Sequence, residues 1–160
     1  MLFLAQISLA RAIVGRISVN DDMSKALNHV LAQADELHDA FFRQNDQEIQ
    51  TSLRNLVNSI EHARRTTKSE KLNGFHLNRV LETAYFHFKS LLKGGGGDDR
   101  TKGLRLGYEQ IVLLAQTYKL DSYKIFYCGK SDTIWLQKNY KAQNPFHPST
   151  MGDCGVQVRQ

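Results

Sequence analysis

Between Leu27 and Tyr118 apolar residues recur at three- and four-residue steps, in four separate runs. A β-sheet cannot use that period, because strand side chains alternate while helical ones return to the same face every 3.6 residues. The first run is Leu27, Val30, Leu31, Ala34, Leu37 and Phe41. It follows Asn20-Asp21-Asp22, which offers a capping side chain and negative charge for a helix N-terminus. Asn45-Asp46-Gln47-Glu48 then interrupts the pattern, and Asn45 with Glu48 three residues on resembles a capping box. The second run, Ile49, Leu53, Leu56, Val57, Ile60 and Ala63, fades into the basic stretch Arg64 to Lys71.

Asn73-Gly74 marks the next break. A third run, Leu77, Val80, Leu81, Ala84, Phe88 and Leu91, leads to Gly94-Gly95-Gly96-Gly97, expected to be a surface loop. Asp98-Asp99 opens the fourth, with Leu104, Tyr108, Ile111, Val112, Ala115 and Tyr118 on one side. Gly103 and Gly107 lie four apart on it, a spacing that lets a neighbouring helix come close. Four helices of about 20 residues, each roughly 30 Å long, predict an all-α, antiparallel up-down four-helix bundle.

At 160 residues and 41% hydrophobic content the chain reads as one domain with a core of its own. The net charge of +5 is mild. Its densest basic cluster is Arg64, Arg65, Lys68 and Lys71, which suits phosphate, anionic lipid or plain solvent. No aromatic-basic recognition motif accompanies it, so no nucleic-acid partner is expected. Nothing approaches the roughly 18 apolar residues of a membrane span. Residues 1–19 form a separate N-terminal segment, with an apolar run from Leu2 to Leu9 before Ala10-Arg11-Ala12, a pattern a signal peptidase can cut. Residues 20–160 form the domain. The expected location is the periplasm, an oxidising compartment.

From Tyr123 the helical period is lost. Tyr123, Ile125, Phe126 and Tyr127 suggest an extended segment, while Asn144-Pro145 and His147-Pro148 force turns. Residues 123–158 are therefore expected to be an irregular cap with one or two short strands, packed through Trp135, Phe126 and Phe146. Both cysteines, both prolines and the single tryptophan lie in this tail. Gly129-Lys130-Ser131 ends like a phosphate loop, but Lys124 stands where its first glycine is required and no helical stretch follows.

Taken together, the tail reads Phe-Tyr-Cys, Trp-Leu-Gln, Asn-Pro-Phe and Met-x-x-Cys-Gly. This order resembles the bacterial domain-of-unknown-function 3347 family, whose members occur as exported domains and as appendages of heavy-metal efflux membrane-fusion proteins. The resemblance runs from about Ser24, but only the tail is specific. It implies a metal-handling accessory role with an efflux or metal-handling partner. It assigns Cys128, Met151 and Cys154 to the family's sulfur positions, His76 to a helical histidine, and Trp135, Asn144 and Pro145 to scaffold positions. One departure matters. The family's Pro-Met after the first cysteine is Gly129-Lys130 here, and an ammonium cannot bind metal while protonated.

The residues suggest similar chemistry on their own. Two thiolates and a thioether are soft ligands that suit Cu(I), and His147, four before Met151, offers a nitrogen. A structural zinc site needs four protein ligands, and Cys128, His147 and Cys154 supply three. The alternative is a Cys128–Cys154 disulfide in a structural or protein-interaction domain, adding roughly 3.5 kcal/mol by the chain-entropy model. A cysteine nucleophile with His147 as base needs an activated thiolate that nothing in the sequence indicates, so no enzyme is expected. Asp35, Glu36 and Asp39 beside His38 read as a solvated acidic face. His29, His62 and His87 read as scattered surface or core residues.

Overall fold

A computed structural model describes residues 15–94 and 97–159. The expected signal sequence therefore lies outside the described residues. The chain forms four long helices, α1 (Asp21–Phe42), α2 (Asp46–Thr66), α3 (Gly74–Leu92) and α4 (Gly97–Thr117), with a 3-10 turn at Thr67–Ser69. A C-terminal region follows with β1 (Lys124–Cys128), β2 (Thr133–Gln137), the single-turn α5 (Pro148–Met151) and β3 (Val156–Val158).

The helices begin where the capping residues stand. Asn20 Oδ1 accepts the Met23 N–H at 2.9 Å, and Asn45 Oδ1 accepts the Glu48 N–H at 3.2 Å. Only half of the capping box forms at Asn45, because the Glu48 carboxylate turns to Arg43 instead, at 2.7 Å. Asn73 makes no side-chain cap. The glycine run divides: Gly94 has φ +76°, while Gly97 is already the first residue of α4, one earlier than the acidic pair suggested.

Every residue of the four apolar runs is buried. Helices adjacent in the chain pack on each other, and α1 also touches α4. Between α3 and α4 the two glycines allow a close approach. A Cβ on Gly103 would sit 2.8 Å from Leu91 Cδ2, and one on Gly107 would sit 2.6 Å from Phe88 Cζ. The space they leave lets the Phe88 ring meet Tyr108 edge-on, centroids 5.9 Å apart. Full burial of a side chain of this size contributes roughly 1.5–3 kcal/mol.

The tail is more regular than expected. It holds a three-stranded sheet in the order β2-β1-β3, with both pairings antiparallel. β1 is central, pairing Phe126 with Trp135 on one side and Tyr127 with Val156 on the other. The third strand escapes a sequence reading because Val156-Gln157-Val158 is too short to show alternation and its partner lies about 30 positions upstream. Residues 15–20 also join the fold. Ile17 pairs with the end of α4 through Thr117 and Lys119, at 2.8 and 2.9 Å. No helix among the described residues is long and apolar enough to cross a membrane.

Candidate functional site: a disulfide-stapled tail held along the first helix

Cys128, at the end of β1, is bonded to Cys154, with a Cα–Cα separation of 5.4 Å. The sequence left bond and metal ligation open, and the bond is what forms. Cys128 is 1% exposed and Cys154 is half-buried. The half-turn that delivers Cys154 is built by α5: Met151 N–H donates to His147 O at 2.9 Å, and Cys154 N–H donates to Met151 O at 3.0 Å. Met151 and His147 are therefore close to the bond along the chain, and both are half-buried. Lys130 is exposed in the β1–β2 turn. His76 stands apart in the first turn of α3, where its Nδ1 lies 2.6 Å from the Tyr118 hydroxyl. Among the described residues no group of three or more His, Cys, Asp and Glu is placed to hold a metal ion.

The scaffold residues form a directional network. Trp135 is fully buried, stacked on Phe126 and edge-on to Phe146. Its Nε1–H donates to Gln137 Oε1 at 2.8 Å. Gln137 is equally buried, and it organises the loop beyond β2. Its Nε2 donates to the Asn139 and Lys141 carbonyls at 3.0 and 2.7 Å, and its Oε1 accepts the Gln143 N–H at 3.0 Å. One amide thus fixes a stretch with no regular structure. Asn144 closes the next turn, accepting the Phe146 N–H at 3.0 Å and donating its backbone N–H to Gly152 O at 2.8 Å. Pro145 beside it is buried. The glycine after Cys154 is a packing requirement, since a Cβ on Gly155 would lie 2.8 Å from Trp135 Cη2.

Three polar residues on α1 tie this tail to the helices. Asn28 Oδ1 accepts the Asp121 N–H at 2.9 Å, and Asp35 Oδ1 accepts the Lys138 N–H at 2.9 Å. His38, fully buried, places Nε2 2.6 Å from Gln143 O and Nδ1 3.1 Å from Asp39 Oδ1. Each ring nitrogen thus faces an oxygen, one on the tail and one on the helix. Asp35 and Asp39 therefore belong to a seam around His38 and not to a wholly solvated face, while Glu36 is exposed as expected. The seam's carboxyls are pushed in opposite directions. Burial raises the Asp35 pKa, while the hydrogen bond from His38 lowers that of Asp39. Burial, with Asp35 nearby, also pushes the Tyr123 phenol up to about 12.

The signal for this seam was present. Asn28, Asp35 and His38 fall at i, i+7 and i+10, one side of a helix, next to the apolar stripe. An open groove of about 420 Å³ flanks the tail, lined by Phe41, Ile49, Arg100, Leu104, Phe146 and His147 among others. Arg100 lies over the Phe41 ring, 5.0 Å from its centroid, and 3.5 Å from Asp46.

Comparison of the chain with known protein families, with curated proteins and with solved structures finds no match.

Proposed function

We propose that this chain is a non-catalytic interaction domain of an oxidising compartment, the periplasm by its family resemblance. Its four helices serve as an antiparallel up-down bundle that carries a stapled, rigid tail for a partner protein. The observation behind this reading is the Cys128–Cys154 bond, which ties the last strand to the central one. Disulfides persist in exported proteins and are rare where thiols are kept reduced. The buried Gln137 network serves the same end, since it holds the loop after β2 in one shape. Thiol counting under denaturing conditions tests the reading. Protein taken from its native compartment should show no free thiol before reductant and two after. Two free thiols at the outset would overturn it.

A second reading is favoured by the placement of Met151 beside Cys154. Two-electron, two-proton reduction by a thiol reductant would return Cys128 and Cys154 to thiols. With Met151, and His147 at the start of α5, these form a soft ligand set suited to Cu(I). In this reading the domain is a heavy-metal accessory that serves an efflux or metal-handling partner, as the family resemblance implies, and His76 takes no part. An anaerobic Cu(I) titration of the reduced protein against a competing chelator decides it. One tight equivalent, lost in Cys128→Ser and weakened in Met151→Leu, supports the metal role. Binding no tighter than in Cys128→Ser removes it.

A further inference from the structure

The connection between α2 and α3 ends in two large apolar side chains that nothing among the described residues covers. Leu72 is 91% exposed and Phe75 is 79% exposed. They are not on a fraying loop. Glu70 is turned inward, where its carboxylate accepts the Asn20 N–H at 2.9 Å and the Leu72 N–H at 3.4 Å. Asn20 Nδ2 donates to Ser69 O at 3.1 Å, so the start of α1 clamps the turn from the other side. At Gly74 a Cβ would fall 2.7 Å from Thr67 O, so the turn closes tightly beneath the pair. The tip is a built feature that holds two hydrophobes outward.

Its charge points to one kind of surface. Lys68 four residues before Leu72, Lys71 next to it and Arg79 four residues after Phe75 are all exposed and without a carboxylate partner among the described residues. Arg79 lies over the Phe75 ring, 5.9 Å from its centroid. Nearby acids are engaged elsewhere: Glu61 with Arg65 at 3.1 Å and Glu82 with Arg64 at 3.0 Å. Glu70 serves the turn, and Asp21 and Asp22 sit in the first turn of α1, against that helix's own dipole. Aliphatic and aromatic side chains ringed by long cations whose heads reach for phosphates are the anatomy of an interfacial lipid contact. Ile17, itself 39% exposed, lies near the same end, since it pairs beside Tyr118, whose hydroxyl meets His76 next to Phe75.

We propose that the Leu72–Phe75 tip, with Lys68, Lys71 and Arg79, rests on an anionic lipid surface and orients the domain with this end against the membrane. Flotation of the full chain with vesicles of phosphatidylcholine alone, and with phosphatidylglycerol added, tests this. The protein should float with the anionic vesicles and much less with the neutral ones. The double variant Leu72→Ser/Phe75→Ser should lose at least about tenfold in partition. Lys68→Ser/Lys71→Ser should abolish the preference for anionic lipid. All these side chains are exposed, so circular dichroism melts of the variants should match the parent and exclude misfolding as the cause. Partition that is absent, or that survives unchanged in Leu72→Ser/Phe75→Ser, would overturn the proposal. The second outcome would assign the contact to the N-terminal run or another face.

Discussion

The two halves of this molecule are held together by different physics. The helical half, from α1 to α4, buries aliphatic and aromatic side chains at helical spacing, and its order comes from non-directional apolar burial. The tail also buries aromatics, but its shape comes from a few directed bonds: the Gln137 amide, the Asn144 turn, the His38 ring and one disulfide. A core of the first kind tolerates hydrophobic exchange as long as volume is kept, losing uniqueness before stability. The second kind fails one bond at a time, because a buried polar group left without its partner is costly. The halves should therefore respond differently to the same sort of damage.

The largest effect is expected in the helices. Phe88→Ala empties the space opposite Gly107 and should cost about 3–5 kcal/mol in a denaturant melt, lowering the stability of both halves together. Separate unfolding of the tail in that variant would break the comparison, since it would show that the halves are not one cooperative unit. Next comes the staple. Cys128→Ser/Cys154→Ser should cost roughly 3.5 kcal/mol by the chain-entropy model, and amide exchange should quicken across β1 and β3 while α2 and α3 stay protected. Equal quickening throughout would mean the tail supports the helices rather than riding on them.

The smallest effect is in the pH profile of the seam. Asp39 has its folded pKa lowered by the hydrogen bond from His38, with Arg43 and Lys138 adding to it. Its contribution is thus present above the ordinary aspartate value and is lost as pH falls through the folded one. Asp35 runs the other way. Burial raises its folded pKa, so it costs stability as pH rises through that value. Asp39→Asn should flatten the melting-temperature profile below about pH 4, and Asp35→Asn should steepen it just above that value, each by no more than about 2 °C. Shifts of the same sign in both variants would mean that the two carboxyls do not occupy distinct environments.

This division also decides what could be read from the sequence. The helical stripes, the caps at Asn20 and Asn45 and the close approach at Gly103 and Gly107 are local or periodic, so residue order alone exposes them. The tail's aromatics could be named as packing residues because Trp135, Phe126 and Phe146 are large and apolar. The partners of Gln137 are backbone carbonyls, which carry no sequence signature. The bond from His38 spans 105 positions, to Gln143. A histidine amid carboxylates on a helix looks the same whether water or a loop covers it. Cysteine pairing had the same limit, since bond and metal site use the same two residues.

The staple also determines how the molecule would bear a load. Tension applied at the C-terminal end would pass from Cys154 straight into Cys128 and the central strand, skipping the chain between them. With a sequence separation of 26, roughly 90 Å of contour length stays hidden from a pulling force until the sulfur–sulfur bond is reduced. A partner gripping this tail would therefore pull on the middle of the sheet, as though the chain ended there.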